Sequence, residues 1–200
     1  MRRNRNPKHK EEFERMKRKT TKEILAESFR ELAESKSVDK ITVQEIVDNC
    51  DYSTATFYRH FKDKYDLIAW DYARKTAEIM GRINGMDYSW AQTLRDGAEH
   101  YSEEKEYLSN LLLHTSGHDA FIQYMADINY TELEKHILSI SGLSTLDEKT
   151  AMLVRTYCLG TVCLSCEWIL GQYRATPDEL AQIYESALPP TLRELIMTEK

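Results

Sequence analysis

Glycine and proline are scarce in this chain of 200 residues, which has seven of the first and four of the second. Sandwiches of many short strands and disordered linkers need more of both, so their scarcity favours long helices. Four cysteines do not make a disulfide framework in a chain of this length. No apolar run follows the basic N-terminal stretch, so we expect no signal peptide and a reduced, cytoplasmic protein that does not enter a membrane.

Charge is distributed unevenly along the chain, whose net charge is −6 at pH 7. Residues 1–64 carry 16 basic and 12 acidic side chains, whereas residues 65–200 carry 11 and 21. The basic excess is concentrated in residues 1–22, with 10 basic and 3 acidic side chains. We therefore place a basic arm at residues 1–16. A basic arm on an acidic body favours contact with a polyanion at one end, although a solvated tail explains the same charges.

Apolar residues recur with helical spacing between capping signals, which predicts an all-α protein. N-caps, several of them within capping boxes, are predicted at Thr42, Ser53, Asp63, Ser89, Thr145 and Thr176. The predicted helices cover residues 17–35, 42–50, 53–61, 63–82, 89–101, 104–114, 119–139, 146–171 and 177–187, with a short tenth after Pro189-Pro190. The short, close-set early helices indicate a small N-terminal domain at 17–65, followed by a helical bundle at 66–200.

Residues 42–61, TVQEIVDNCDYSTATFYRHF, have the layout of a helix-turn-helix. Two short helices are separated by about three residues. Asp51 lies where the chain must reverse, and Asp tolerates the left-handed conformation better than most residues with a side chain. The second helix would expose hydroxyls, an arginine and a histidine, which can bond phosphates or base edges. The pattern therefore predicts a helix that enters the major groove of DNA.

The same stretch resembles the N-terminal domain of the tetracycline-repressor (TetR/AcrR) family over residues 17–68. The matching positions are Thr42, Ile46, Ser53, Thr56, Phe57, Tyr58, His60, Phe61, Lys64 and Leu67. The resemblance implies a three-helix DNA-binding domain followed by helices for ligand binding and dimerisation. It is broken at Asp51 and Ala55, where the family usually has glycine. Residues 57–68 also resemble the subgroup that includes the dihydroxyacetone-kinase operon activator, whose members can act through a protein co-regulator, so the sign of regulation stays open.

The resemblance implies a set of DNA-contacting side chains on the two helices and just beyond them. These are Thr42, Ser53, Thr54, Thr56, Tyr58, Arg59, His60, Lys62 and Lys64. Arginine can read guanine through two hydrogen bonds, which is the role expected for Arg59, while Tyr58 and Lys64 would bond phosphates. Structural roles compete with these: Tyr58 and His60 could pack against neighbours, and Thr42 could serve only as a helix cap.

Aromatic side chains are frequent in the second domain. At helical spacing they usually belong to the core, but the family resemblance implies a cavity for a small-molecule effector between the helices. The lining residues predicted for such a cavity are Trp90, Tyr107, His114, Tyr124 and Tyr157.

The helix predicted at 146–171 is apolar nearly all round, with only Arg155 and Glu167 charged between residues 151 and 170. We favour a central helix whose outer side meets a second subunit over a membrane span. Cys163 and Cys166 lie in mid-helix without further zinc ligands, which favours packing residues.

The sequence predicts no metal site, no cofactor and no catalytic activity. The sequence instead predicts a homodimeric regulator of transcription that binds a palindromic operator in double-stranded DNA. We expect a repressor that a small-molecule effector releases from DNA; the alternative is a co-regulator of the same fold that works mainly through a protein partner.

Overall fold

The computed structural model describes residues 19–82, 89–114 and 118–196, with backbone only at 118–120. Over these ranges the fold is all-α, as predicted, with ten α-helices and no strand. They are α1 (Thr21–Ala33), α2 (Val43–Asp48), α3 (Thr54–His60), α4 (Lys64–Gly81), α5 (Trp90–Glu103), α6 (Lys105–His114), α7 (His118–Ser141), α8 (Glu148–Ile169), α9 (Pro177–Ala187) and α10 (Pro190–Ile196). A short 3₁₀ helix, Val38–Lys40, precedes α2. The basic arm predicted at 1–16 lies outside the described residues.

Most of these helices begin at the residues that the sequence predicts, where local hydrogen bonds cap their first turns. Thr42 and Thr176 form reciprocal capping boxes with Glu45 and Glu179. The caps predicted for α3, α4 and α5, at Ser53, Asp63 and Ser89, are also confirmed. Side-chain oxygens at these positions accept backbone N–H groups that a helix start leaves unpaired, so each helix is fixed from its first turn.

The capping box predicted at Thr145 is wrong. Helix α8 is capped by Asp147, whose carboxylate accepts the backbone N–H of Thr150 at 3.1 Å and its hydroxyl at 2.6 Å. An ionised cap makes stronger hydrogen bonds than a neutral hydroxyl, which favours Asp147 over the threonine two residues earlier. A box that we did not predict, Thr20 with Glu23, begins α1.

One cluster of buried apolar side chains runs from the helix-turn-helix into the body. It includes Phe29 of α1 and Phe57 of α3, and it continues through Leu67 of α4 to Leu111 of α6 and Trp168 of α8. Helix α4 begins at Lys64 and packs against helices of both parts. The division into domains at residue 65 stays a prediction.

Helix α8 is buried on one side and open on the other. It packs mainly against α7 and buries Val154, Cys158 and Val162. Its outer side carries Met152, which is 64% exposed, with Thr156 and Gly160 following at one-turn intervals. None of the described helices has both the length and the apolar character needed to cross a membrane.

Candidate nucleic-acid interface and effector cavity

The turn before α3 and the apolar underside of α3 fix its position. Asp51 adopts a positive φ of 57°, as its place in the turn predicts, and the N–H of Tyr52 returns to the carbonyl of Val47 at 2.9 Å. Phe57 is completely buried, and Phe61 ends the helix with its ring 5.8 Å from that of Phe57. With its underside anchored, α3 turns its opposite side to solvent.

The solvent side of α3 carries side chains that are free to bind. Tyr58 is 59% exposed, and Arg59 and Lys62 are also exposed. None of the three side chains makes a hydrogen bond or ion pair with the described residues, although the backbone N–H of Lys62 donates to Asp66 at 2.9 Å. Thr54 and His60 are half-buried beside them. Free hydroxyl and cationic groups on a rigid helix are what contact with phosphates and base edges requires.

Three further residues of the predicted interface are engaged in capping. The hydroxyls of Ser53 and Thr56 lie 3.0 Å apart, and Ser53 also accepts the N–H of Thr56. Thr42 is exposed at the start of α2, where it shares a capping box with Glu45. Lys36 bonds that carboxylate, and together with Thr42 it lowers the pKa of Glu45 to about 2. These hydroxyls can still accept a further hydrogen bond from solvent or a partner.

Lys64 has a structural task that the sequence did not indicate. Its ammonium donates to the carbonyls of Val38, Asp39 and Ile41 at 2.8, 2.8 and 2.7 Å. An ammonium has three N–H donors, so all of them are used within the chain. Lys64 therefore ties the 3₁₀ helix to the start of α4, and it has no donor left for a phosphate.

Arg30 of α1 connects the helix-turn-helix to the body through a buried ion-pair cluster. Its Nε lies 2.6 Å from a carboxylate oxygen of Asp71, whose side chain is only 2% exposed, and its Nη1 bonds Glu104. The guanidinium also lies 4.5 Å from the ring centre of Tyr107. Arg74 supplies a second ion pair to Asp71 at 2.9 Å. Four helices or helix ends thereby meet at one charge cluster.

A single amide strengthens this junction. The side-chain NH₂ of Asn110 donates to the carbonyls of Ala33 and Lys36 at 2.8 and 2.9 Å, while its oxygen accepts the N–H of Val38 at 3.1 Å. The end of α1 and the start of the 3₁₀ helix are thus held by α6. Sequence reasoning missed Arg30, Asp71, Glu104 and Asn110, because their partners lie 41 to 77 residues away.

A cavity of about 90 Å³, which we call the effector cavity, lies between α4, α5, α7 and α8. Of the five predicted lining residues, Trp90 and Tyr157 line it. The structure places the other three elsewhere. The ring of Tyr107 packs edge-on against Phe29, the hydroxyl of Tyr124 donates to the carbonyl of Ala69 at 3.0 Å, and His114 is exposed at the end of α6.

Other cavity-lining residues did not stand out in the sequence. They include Tyr101, Asn129, Thr161, Ser165 and Tyr184. Helical spacing shows which face of a helix is buried but not where facing helices leave a gap, so no sequence signal separates these residues from the core.

The cysteines are all free thiols, and two of them are strongly buried. Burial raises the pKa of Cys158 and of Cys166 to about 12, so both are protonated at neutral pH and poor nucleophiles. Among the described residues no group of His, Cys, Asp and Glu has an arrangement that could hold a metal ion.

Residues 24–69 match the model of the bacterial regulatory proteins of the tetR family. This segment is a TetR-family domain. A curated relative is the HTH-type dhaKLM operon transcriptional activator DhaS of Lactococcus lactis subsp. lactis (strain IL1403), 29% identical over 74 residues. The match takes in 37% of this chain and 39% of the relative, so the chain aligns with about two fifths of that protein's length. The predicted family and the likeness to the dihydroxyacetone-kinase activator are both confirmed.

Solved structures share the fold of this chain along most of its length. Dihydroxyacetone kinase operon activator DhaS has a TM-score of 0.61 and 18% identity, covering 88% of this chain and 96% of its own. Thermus thermophilus FadR, a TetR family transcriptional repressor in complex with lauroyl-CoA, has a TM-score of 0.57 and 18% identity, covering 90% of this chain and 96% of its own. The TetR family repressor AlkX from Dietzia sp. strain DQ12-45-1b has a TM-score of 0.55 and 13% identity, covering 89% of this chain and 98% of its own. At such identities the likeness is one of fold.

The segment that matches the family model contains the helix-turn-helix formed by α2 and α3. Its two departures from the family pattern have simple structural consequences. Asp51 takes the left-handed conformation that glycine takes with less strain. Ala55 is exposed in the first turn of α3, where alanine is a better helix former than glycine. Neither change displaces the buried Phe57 that anchors α3.

Proposed function

We propose that this TetR-family regulator acts as a homodimeric repressor on a near-palindromic operator, from which a small-molecule effector releases it. The observation that carries the proposal is the exposed surface at the end of α3: the side chains of Tyr58 and Arg59, with Lys62 just beyond the helix, make no hydrogen bond or ion pair with the described residues. The opposite arrangement, with these groups paired inside the chain, would leave α3 without donors for DNA.

The exposed side chains divide into base-reading and phosphate-binding groups. Arg59 has the two-pronged donor geometry that guanine O6 and N7 accept, so it supplies base preference. Tyr58 and Lys62 would bond phosphates, which fixes the register of the helix without selecting a sequence. Ser53, Thr54, Thr56, His60 and Thr42 complete the surface as acceptors or donors. Lys64 acts indirectly, by holding the start of α4.

The homodimer is supported by the outer sides of α8 and α9. On α8, Met152, Thr156 and Gly160 form an open, uncharged strip. On α9, Leu180 and Tyr184 are buried, whereas Ile183 remains 46% exposed. Each helix thus leaves a large apolar side chain exposed, and Gly160 permits close approach of a second helix. Such a surface suits an isologous contact across a two-fold axis.

Sedimentation of the full chain tests the dimer. We expect a stable dimer at micromolar concentration, and Gly160→Arg should convert it to a folded monomer because the charge would be buried against its own copy. The matched control is Gly142→Arg, since both glycines have open space around the Cβ position, although a positive φ at Gly142 adds local strain. A stable native monomer would contradict the proposal.

Release by an effector is supported by the cavity and by the position of α4. Thr76 and Met80 of α4 line the effector cavity, while the same helix packs against α1 in the DNA-binding part. A ligand shifts a conformational equilibrium only by binding one state more tightly, and a guest beside α4 can do this. Thermus thermophilus FadR, which shares the fold, is in complex with lauroyl-CoA, which supports the proposal that a chain of this fold binds a small molecule.

The central experiment is a fluorescence-anisotropy titration of the full chain with the DNA flanking its own coding region. We expect specific binding that tolerates excess random DNA, and a shift toward random-DNA affinity in Arg59→Ala. Arg174→Ala, an exposed arginine near α9, is the matched control and should bind as the native chain does. Equal affinity for both DNAs in the native chain would overturn the operator-binding proposal.

A second candidate function is a transcriptional co-regulator that acts mainly through a protein partner. The likeness to DhaS, a protein described as an activator, is the observation in its favour. The two candidates differ in the titration above: a repressor binds the flanking DNA alone, whereas a co-regulator binds it only when extract containing its partner is added. Transcription from the flanking promoter then gives the sign of regulation.

A further inference from the structure

A second space adjoins the effector cavity between α4 and α5. This cleft, which we call the vestibule, has a volume of about 280 Å³. Its charged walls are Lys75, Glu78, Arg82, Asp96, Glu99 and Glu103. Ile79 and His100 line both the vestibule and the effector cavity. Within the described part of the chain, these two side chains lie between a charged opening and an interior that is mostly apolar.

The charge of the vestibule is unbalanced, with four carboxylates against two cations. The cations are already engaged. Arg82 contacts Asp96 at 3.0 Å and Glu78 at 3.6 Å, and Lys75 lies 3.8 Å from Glu78. Two negative charges thus remain uncompensated on the walls.

The uncompensated carboxylates belong to Glu99 and Glu103, one turn apart on α5. Neither forms an ion pair with the described residues. Glu103 is the last residue of α5, where the helix dipole is negative and a carboxylate is unfavourable. Burial lowers the pKa of His100, so the side chain between the two spaces is uncharged at neutral pH and adds no positive charge. The mouth of the cavity therefore attracts cations.

The interior contains a buried donor without an acceptor. The indole of Trp90 lines the cavity and is 6% exposed, and its Nε1–H makes no hydrogen bond with the described residues. Tyr157 donates to the carbonyl of Tyr184 at 3.0 Å, and the hydroxyls of Ser165 and Tyr184 lie 2.6 Å apart. His136, whose ring is stacked 6.5 Å from that of Trp90, likewise has two buried nitrogens without a partner among the described residues. A buried donor is usually paired, so Trp90 indicates a space that takes a guest.

The volumes of the two spaces indicate that one ligand would occupy both. The effector cavity alone, at about 90 Å³, is smaller than the several hundred Å³ that drug-sized ligands occupy. The vestibule adds the missing room on the far side of Ile79 and His100. A drug-sized guest would therefore need both spaces.

The geometry points to an amphipathic monocation as the effector class: its apolar body enters the cavity beside Trp90, and its cationic group stays in the vestibule beside Glu99 and Glu103. This inference rests on the proposed effector function of the cavity and adds the charge, polarity and orientation of the ligand. Anionic ligands would meet uncompensated carboxylates at the mouth, and fully apolar ones would leave those carboxylates unpaired.

Three probes with one body and different charges test the inference. They are 4-phenylbutylammonium, 4-phenylbutanol and 4-phenylbutyrate, each titrated calorimetrically into the full chain without DNA, together with shorter members of each series. We expect the ammonium to bind about tenfold more tightly than the alcohol, and the carboxylate more weakly than either, because an ion pair at a partly exposed site contributes on that scale. Quenching of tryptophan emission in the native chain but not in Trp90→Phe would place the phenyl ring of the probe near the indole of Trp90.

Substitution of the carboxylates separates charge from fit. In Glu99→Gln/Glu103→Gln the advantage of the ammonium over the alcohol should fall to about twofold, since only the charged probe loses a partner. Glu106→Gln, an exposed carboxylate on α6 that does not line the vestibule, is the matched control and should keep the full advantage.

Each remaining outcome contradicts the inference. Equal binding of the three probes, preference for the carboxylate, or an ammonium advantage that survives the double substitution would each exclude the vestibule as a cation site. Absence of binding throughout all three series would show that the cavity takes no such guest. Because DNA is absent from these titrations, failure here leaves the operator-binding measurement as a separate result, and the reverse holds as well.

Discussion

The two faces of the helix-turn-helix domain use basic side chains in opposite ways. On the inner face, Arg30 is held by Asp71 and Glu104 and lies over the ring of Tyr107. On the outer face, Arg59 is exposed and has no partner among the described residues. Pairing in a partly buried site commits a charge to holding two parts of the chain together, whereas an unpaired, solvated charge stays available to a ligand. The difference between the faces thus separates stability from recognition.

The largest effect should follow from breaking the inner face. Arg30→Ala leaves Asp71, with a side chain 2% exposed, dependent on Arg74 alone, and leaves Glu104 without its partner. We expect a loss of about 3 kcal/mol in the free energy of unfolding, measured by urea denaturation. Lys19→Ala removes the well-exposed pair with Glu27 and should change stability by less than about 1 kcal/mol. Equal losses would show that the buried cluster has no special weight.

The next effect should appear on the outer face, in binding and not in folding. Arg59→Ala should weaken operator binding by about 1–3 kcal/mol and relax preference at one base pair, while unfolding stays within about 0.5 kcal/mol of the native value. Tyr58→Phe should weaken binding to all sequences alike, since a phosphate contact carries no sequence information. Competition binding with single-base operator variants distinguishes the two. If Tyr58→Phe changed the preference and Arg59→Ala did not, the roles would be reversed.

Features encoded within a few residues could be predicted from the sequence. The helix starts at Thr42, Ser53 and Thr176 follow from a hydroxyl placed before a helical run, and all three are confirmed. The turn at Asp51 is equally local. At Thr145 the same reasoning failed because Asp147, two residues later, caps the helix instead and accepts the N–H of Thr150.

Features that depend on distant partners could not be predicted. Arg30 and Asp71 are 41 residues apart, and no spacing rule joins them. Lys64 looks like a phosphate-binding lysine in the sequence, yet its three carbonyl acceptors lie 23 to 26 residues earlier. Tyr107 and Trp90 share an aromatic character and a helical setting, but only the packing of α5 against its neighbours puts Trp90 at a cavity and Tyr107 at the Arg30 cluster.

Two capping boxes of the same type allow a test of whether Thr42 also contacts DNA. Thr42 and Thr176 form the same capping box, one in the helix-turn-helix and one at α9. Each alanine substitution should cost about 1 kcal/mol of unfolding free energy, because one backbone N–H loses its acceptor. Only Thr42→Ala should also weaken operator binding by more than its stability loss explains. Equal operator affinity in the two variants, measured where both are folded, would restrict Thr42 to capping.

The smallest effect concerns the acid response of the outer face. The hydrogen bonds from Lys36 and Thr42 lower the pKa of Glu45 from its usual 4.5 to about 2. The unfolded chain therefore binds more protons between these values, and the stabilising contribution of Glu45 is complete above pH 4.5 and disappears as the pH falls to about 2. Glu179 also has a lowered pKa, from Thr176 alone, because no lysine bonds its carboxylate.

Urea denaturation between pH 6 and pH 3 measures this difference. Glutamine keeps an acceptor oxygen for the capping box but cannot titrate, so Glu45→Gln should flatten the rise of stability with pH in that range. Glu179→Gln, the matched control at α9, should flatten it less. Identical slopes in the two variants would mean that Lys36 contributes nothing beyond the cap, and the ion pair on the outer face would then be no more than a solvated surface contact.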